Sequence, residues 1–280
     1  MIQAITTQDI ETQARPMAEE SSLLVSIVLP CLNEARTVGL CIDQAHAGCQ
    51  SALRELASFR SIDQCSLIQV ENEQEPLYEI IVADNGSTDG SRDMVIAHKA
   101  RVVCVAQKGY GAAMRGGIAT ALGRIVVMGD ADCSYDFNEV PRFMEKLNEG
   151  YDLVLGNRFA GQIQPGAMPW HHRYVGNPLL SGLGRLLYRT PCRDWHCGLR
   201  AFDRQKIISL NLSCVGMEFA SEMVLRASQK RLRMAEIPIT LHPDARKRAP
   251  HLRSVRDGLR HLVTLLCSFP KVKFQNKGEL

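Results

Sequence analysis

The sequence predicts an α/β fold: an open, mostly parallel sheet flanked by helices, with its site at the carboxyl ends of the strands. Three observations predict it. Short apolar runs of strand length alternate with longer stretches of helical periodicity from residue 24 to about residue 245. Three of those runs stop on polar clusters, at Pro30, Asp84 and Asp130. Open sheets of this class bind ligands beyond the carboxyl ends of their strands. The third cluster lies in Ile125–Phe137, IVVMGDADCSYDF, where a buried-strand run breaks into two carboxylates separated by one small residue.

Taken in order, residues 1–23 are polar and acid-leaning, and they read as a mobile N-terminal arm without the basic start and apolar centre of a signal peptide. Leu24–Pro30 is a strand closed by proline. Asn33 then stands where it can cap a helix, with Glu34 in the first turn, and helical spacing continues to about residue 60. Ser61–Leu77 reads as a surface insertion. Tyr78–Ala83 is the next strand, ending in Asp84-Asn85-Gly86-Ser87-Thr88-Asp89-Gly90, a turn and a helix start together. A helix over 91–99 leads to a strand over 100–106. The Gly109-x-Gly111 pair that follows has Met114 in place of the third glycine and follows the third strand, so a Rossmann dinucleotide site does not fit.

Asp130 and Asp132 carry the sharpest chemistry. Two carboxylates this close repel, and partial burial adds to the cost. A divalent cation with hard oxygen ligands, Mg²⁺ or Mn²⁺, relieves both and bridges to a phosphate. The bland alternative is an Asp-rich turn after a strand. Downstream, Tyr151–Arg158 is a strand, Trp170–Tyr188 a mixed apolar and basic helical stretch, and Met234–Leu241 a last strand. Arg158 and Arg200 are candidates to grip a phosphate, each with a structural ion pair as the alternative. Glu218 and Glu222, four apart, share a helix face.

The combination VLPCLNE, VADNGSTDGS and GDADCSYDF, in that order, resembles the N-terminal half of glycosyltransferase family 2, inverting enzymes of the GT-A fold. GNRF, DWHCGLRAF and GMEFASEM further on resemble its dolichol- and polyprenyl-phosphate mannosyltransferase-like branch, and the likeness spans residues 24–260. The resemblance implies that Pro30, Asn33, Glu34, Asp84 and Ser87 line the donor nucleotide site. It implies that Asp130 and Asp132 hold the metal and, through it, the donor diphosphate, with Ser134 beside them. Asn85 departs from the family pattern, which has a second Asp there. Asp132, Glu222 and Asp194 become the candidate catalytic residues. Arg158, Arg200, Arg246 and Lys247 become candidates for an acceptor phosphate. The implied donor is a nucleotide-diphosphate sugar and the implied acceptor a polyprenyl phosphate; a hydroxyl acceptor stays open. A lipid phosphate needs no strong general base, whereas a hydroxyl makes Glu222 or Asp194 essential.

Composition sets the remaining bounds. A chain of 280 residues with 45% hydrophobic and 22% charged residues is ordinary for one globular domain. From Arg226 onward there are 13 Lys and Arg against 4 Asp and Glu, and the rest carries 20 against 26. The segment 246–280 therefore reads as a basic amphipathic extension of the domain over 24–245, facing an anionic membrane surface. Vesicle binding is expected to disappear as salt rises. No aromatic residues interleave with the arginines, so no nucleic-acid partner is expected. No apolar run reaches the roughly 20 residues of a membrane span, and a cytoplasmic, peripheral location is expected. The ten cysteines form no CxxC pair. A nucleotidyltransferase would show a glycine-rich basic loop after the first strand, and Cys31–Arg36 has no glycine.

Overall fold

The computed structural model describes residues 24–60, 77–246 and 254–267. The N-terminal arm, most of the expected insertion and Lys247 lie outside them. Seven strands form one sheet in the order β3-β2-β1-β4-β6-β5-β7. The strands are β1 (Val25–Cys31), β2 (Tyr78–Asp84), β3 (Arg101–Cys104), β4 (Ile125–Met128), β5 (Leu153–Ile163), β6 (Arg200–Asp203) and β7 (Met234–Leu241). The helices are α1 (Val38–Arg60), α2 (Ser91–Ala97), α3 (Tyr110–Thr120), α4 (Val140–Asn148), α5 (Asn177–Tyr188), α6 (Arg204–Ile208), α7 (Phe219–Gln229) and α8 (Ser254–Cys267).

β1 is the central strand of the parallel half, paired to β2 on one side and β4 on the other. Its side chains alternate between two cores. Val25, Ile27, Leu29 and Cys31 pack with α1, Phe137 and Phe143, while Val28 packs on the opposite face with Met114, Met128 and Phe219. Burial on both faces is why the strand reads as a continuous apolar run. Pro30 is tolerated in this central strand because β4 pairs with β1 only as far as Val28. The Cys31 carbonyl bonds to the β2 side, through Asn85. By alternation, the missing N–H of Pro30 therefore points to the side where the ladder has already ended.

β6 runs antiparallel between β4 and β5. The sequence reading did not include this strand; four residues after a cysteine-rich loop give too short a pattern. β5 is longer than expected, continuing from Arg158 to Ile163 beside β7 with an irregularity between Asn157 and Gln162. α8 packs on α7 and α5. Its Leu265 is fully buried, and the Tyr188 hydroxyl donates to the Leu265 carbonyl at 2.6 Å. The described part of the C-terminal segment is thus built into the domain. No helix among the described residues is long and apolar enough to cross a membrane.

Candidate active site

The register of β1 on β2 sets Cys31 opposite Asp84, so the loops that follow lie side by side and zip together. Asn33, at φ 59°, donates its N–H to Ser87 Oγ at 2.8 Å and accepts from the Thr88 N–H at 2.8 Å. The Glu34 N–H donates to Ser91 Oγ at 2.8 Å. α1 begins only at Val38, so Asn33 does not cap its own helix as expected; its side chain caps the neighbouring loop. Asp84 is almost fully buried. Its carboxylate accepts from the Gly86 and Ser87 N–H groups at 3.1 Å each, and from Arg92 Nε at 2.7 Å and Nη2 at 2.6 Å. Burial opposes its charge, but bonds from Ser87, Arg92 and Gly86 outweigh it and hold the carboxyl below the usual range. A cleft of about 200 Å³ opens beside it, lined by Asp84, Gly86, Arg92, Cys104, Val105, Ala106 and Lys108.

The departure at Asn85 has a structural reason. Its Nδ2 donates to the Val105 and Gln107 carbonyls at 3.0 and 2.7 Å, and its Oδ1 accepts from the Gly109 N–H at 2.8 Å. An aspartate could not donate. Gly109, at φ 130°, and Gly111 allow α3 to approach the backbone of residues 214–216: a Cβ on Gly109 would lie 2.1 Å from the Val215 carbonyl oxygen. Those glycines serve chain packing, not a cofactor.

β4 ends at Met128, and Gly129 leads into the carboxylate turn. Asp132 is buried; its Oδ1 accepts from the Ser134 N–H at 2.9 Å and its Oδ2 pairs with Arg246 Nη2 at 2.7 Å. The segment after β7 is stitched to this turn, with His242 donating its N–H to the Ser134 carbonyl at 3.0 Å and Ala245 to that of Asp132 at 2.9 Å. Arg246 also faces Glu34 Oε1 at 3.6 Å and Asp244 Oδ2 at 3.3 Å. Arg246 is thereby the hub linking the first and third motifs. Burial and the neighbouring Asp132 push the Asp130 carboxyl up to about 7, against the opposing pull of Arg246 and a hydrogen bond from Tyr110. A Cβ on Gly198 would stand 2.7 Å from Asp130 Oδ2, so the loop 194–198 forms one wall of the site.

The donor set fits a divalent cation. Two carboxylates share one turn, one of them is pushed up to about 7 by burial and by its neighbour's charge, both of which a cation would offset, and all the donor atoms are oxygens. Among the described residues no cluster of three or more His, Cys, Asp or Glu could hold a metal. The remaining ligands would be water and substrate oxygens.

Three of the candidate residues are engaged within the protein. Asp194 is fully buried and accepts Arg158 Nε and Nη2 at 2.7 Å each, along with the Arg158 N–H at 3.0 Å. Both its oxygens are engaged by Arg158. Glu222 accepts from the Ser213 N–H at 2.9 Å, Ser213 Oγ at 3.0 Å and the Cys214 N–H at 2.8 Å, pinning the 213–216 loop. Arg200 has no exposed surface and donates to the carbonyls of Cys197, Ala220 and Trp195. It is an internal tie, with no surface open to solvent. Arg158 sits at the site held by Asp194.

The first three motifs and Arg246 converge on one end of the sheet, and comparison with known proteins agrees. The profile described as "Glycosyl transferase family 2" matches residues 26–210. This chain belongs to glycosyltransferase family 2.

Within the family it is similar to the low-salt glycan biosynthesis hexosyltransferase Agl6 of Haloferax volcanii, 35% identical over 255 residues, which are 91% of this chain and 56% of Agl6. The chain thus spans little more than half of that relative. The glycosyltransferase AglJ of the same organism is 30% identical over 207 residues, 69% of this chain and 68% of AglJ. A dolichyl-phosphate hexose transferase of that organism is 29% identical over 159 residues, 57% of this chain and 68% of that protein. Among solved structures, glucosyl-3-phosphoglycerate synthase from Mycobacterium tuberculosis, in complex with Mn²⁺, UDP and glucosyl-3-phosphoglycerate, superposes with a TM-score of 0.60 at 24% identity. That match covers 90% of this chain and 85% of the synthase. At that identity the likeness establishes the shared fold.

The sequence reading missed Arg92, Lys108, Tyr110 and Glu236. Arg92 was visible as a basic residue at the start of the helix after Asp84. Glu236 had no local signal: it reaches from β7 to accept the Arg193 and Asp194 N–H groups at 2.6 and 2.7 Å.

Proposed function

We propose that this protein transfers a hexose, with inversion, from a nucleotide-diphosphate sugar to a polyprenyl phosphate at a membrane surface. One observation carries the choice of acceptor. The two carboxylates that the sequence singles out as general bases, Asp194 and Glu222, are engaged by Arg158 and by the 213–216 loop. A hydroxyl acceptor needs its proton removed, whereas a phosphate monoester, with a second pKa of about 6, arrives already anionic at pH 7. The dolichyl-phosphate hexose transferase among the relatives supports the same acceptor.

In this reading the cleft beside Asp84 and Lys108 takes the nucleoside, with Pro30, Asn33, Glu34 and Ser87 on the adjoining ends of β1 and β2. Asp130 and Asp132 would hold Mg²⁺ or Mn²⁺, consistent with the UDP complexes of the structural neighbour with Mn²⁺ and Mg²⁺. The bound cation supplies charge neutralisation for the departing diphosphate. Arg246, beside Asp132, adds a second positive charge to that leaving group. Arg158, oriented by Asp194, faces the acceptor phosphate. An acceptor oxygen attacks the anomeric carbon as the bond to the diphosphate oxygen breaks, and the electron pair leaves with the nucleoside diphosphate.

The test is an acceptor pair. Purified protein with Mn²⁺ or Mg²⁺ and a panel of nucleotide sugars is offered a polyprenyl phosphate or the corresponding alcohol. Transfer to the phosphate alone is expected. Equal transfer to the alcohol would overturn the reading.

A further inference from the structure

α5 has an inward face built for packing. Ser181 Oγ accepts from the Trp195 N–H at 3.3 Å, Gly184 lies against the Trp195 ring, and Tyr188 is buried. Positions 181, 184 and 188 make an ordinary core stripe. The opposite face should be polar in a helix that ends at water. Instead Leu179 and Leu186 are 67% and 77% exposed, and in the turn leading into the helix Trp170, Tyr174 and Val175 are exposed as well. α8, in contact with α5 and resting like it on α7, repeats the arrangement. Its Asp257, His261 and Leu265 face inward, while Leu259, Val263 and Leu266 face out.

The exposed charges beside these two apolar faces are of one sign; the acids Asp257 and Glu218, the latter 4.0 Å from Arg260 Nη1, are buried. From Trp170 to Arg193 there is no Asp or Glu, and Arg173, Arg185 and Arg189 lie among the apolar residues. On α8, Arg256 and Arg260 are exposed and the only acid, Asp257, is buried. An apolar stripe with an arginine border, and an aromatic ring at its edge, matches the headgroup boundary of an anionic bilayer. A soluble partner with acidic side chains would match the arginines and leave the leucines unexplained.

We propose that the outward faces of α5 and α8, with Trp170, form a single surface that inserts shallowly into an anionic bilayer. The inference rests on the lipid-acceptor reading for its purpose, and it changes the expected physics. The sequence alone suggested basic residues that hold the surface electrostatically. Here the arginines attract, and the leucines and Trp170 stay in the boundary after salt has screened the attraction. The placement also serves the chemistry. α5 lies directly on Trp195, and three residues on, Gly198 touches Asp130. The bilayer is then about one helix diameter, roughly 10 Å, from the loop that walls the reaction site.

The experiment uses the whole chain, with vesicles of phosphatidylcholine alone or with phosphatidylglycerol, at low salt and at high salt. Only two tryptophans are present. Trp195 is fully buried, so subtracting the emission of a Trp170→Phe variant isolates Trp170. Expected are a blue shift of Trp170 on anionic vesicles, its quenching by brominated acyl chains, and residual binding at high salt. The double change Leu179→Glu with Leu186→Glu, at exposed positions that leave the core intact, should lower partitioning about 100-fold. Pelleting without a Trp170 shift, or no pelleting at all, would sink the proposed surface. So would a dimer in buffer abolished by the same double change, since a second copy would then cover the face. Transfer to a water-soluble short-chain prenyl phosphate without vesicles checks the acceptor separately: its success beside failed insertion removes only this surface, and its failure removes the acceptor.

Discussion

Asp130 and Asp132 are neighbours with different work. Asp132 is already paired with Arg246, while Asp130 is held near 7 by burial and by that neighbour. In the unfolded chain Asp130 titrates near the ordinary carboxylate value of about 4. Between that pH and 7 the folded state keeps a proton that the unfolded state has lost, so this group makes stability fall as pH rises across that window. Asp130→Asn should therefore raise the melting temperature of metal-free protein at pH 8 and leave it unchanged at pH 4. Thermal denaturation in chelator at both values checks it, and an equal shift at both would contradict the raised pKa. In wild-type protein Mn²⁺ binding should weaken as pH drops below 7, because protons compete for the same oxygens. Asp132→Ala should abolish transfer and metal-dependent nucleotide binding with the fold intact. Asp194→Ala should behave differently, leaving a buried Arg158 charge unpaired at a cost of about 3–5 kcal/mol. Urea denaturation measures this; a stable, inactive Asp194→Ala protein would restore Asp194 as a base.

At the scale of elements, the site is a set of loop-to-loop clasps on a rigid sheet. Asn85 ties the β2 loop to the segment after β3, and the carboxylate turn is tied to the segment after β7. Asn85→Asp replaces two donated bonds with a carboxylate facing two carbonyl oxygens. The expected loss is about 2–3 kcal/mol of stability, with weaker nucleoside binding because the adjoining cleft loses its floor. Isothermal titration with nucleoside diphosphate reads the second effect, and unchanged affinity would detach Asn85 from the cleft. Gly109→Ala should be worse tolerated than Gly90→Ala. Both have positive φ, but only at Gly109 does a Cβ meet backbone, at 2.1 Å, while nothing lies within 4 Å of one on Gly90.

At the scale of the whole molecule, the sheet edges divide the labour. The β3-β2-β1-β4 half presents the cleft proposed for the nucleotide and the carboxylate turn, and the β6-β5-β7 half holds the loop 194–198 and the segment carrying Arg246. Both halves contribute to the site, so ligand binding should stabilise the whole fold. Nucleoside diphosphate with Mn²⁺, at about 100 times its dissociation constant, adds roughly 2.7 kcal/mol. Either component alone should raise the melting temperature less, as a thermal-shift titration with each and both would reveal. The docking surface formed by α5 and α8 belongs to this scale too, since neither helix alone supplies the paired apolar faces with their arginine border.

Local pattern by itself determined the parallel half of the sheet, the polar clusters that follow β1, β2 and β4, and the carboxylate pair. Each is written in a stretch of fewer than fifteen residues, where periodicity and composition are local. What tertiary structure decided is which charges are free. Asp194, Glu222 and Arg200 carry the residue types of chemistry, and their local sequence does not differ from that of a working acid or phosphate clamp. Their partners, Arg158, the Ser213 and Cys214 backbone and the carbonyls of Cys197, Ala220 and Trp195, come from other segments of the chain. The pairing of Arg246 with Asp132 spans more than a hundred residues. The exposed face of α5 was hidden for a related reason: its sequence shows two apolar stripes, and only packing against Trp195 tells which one is the core.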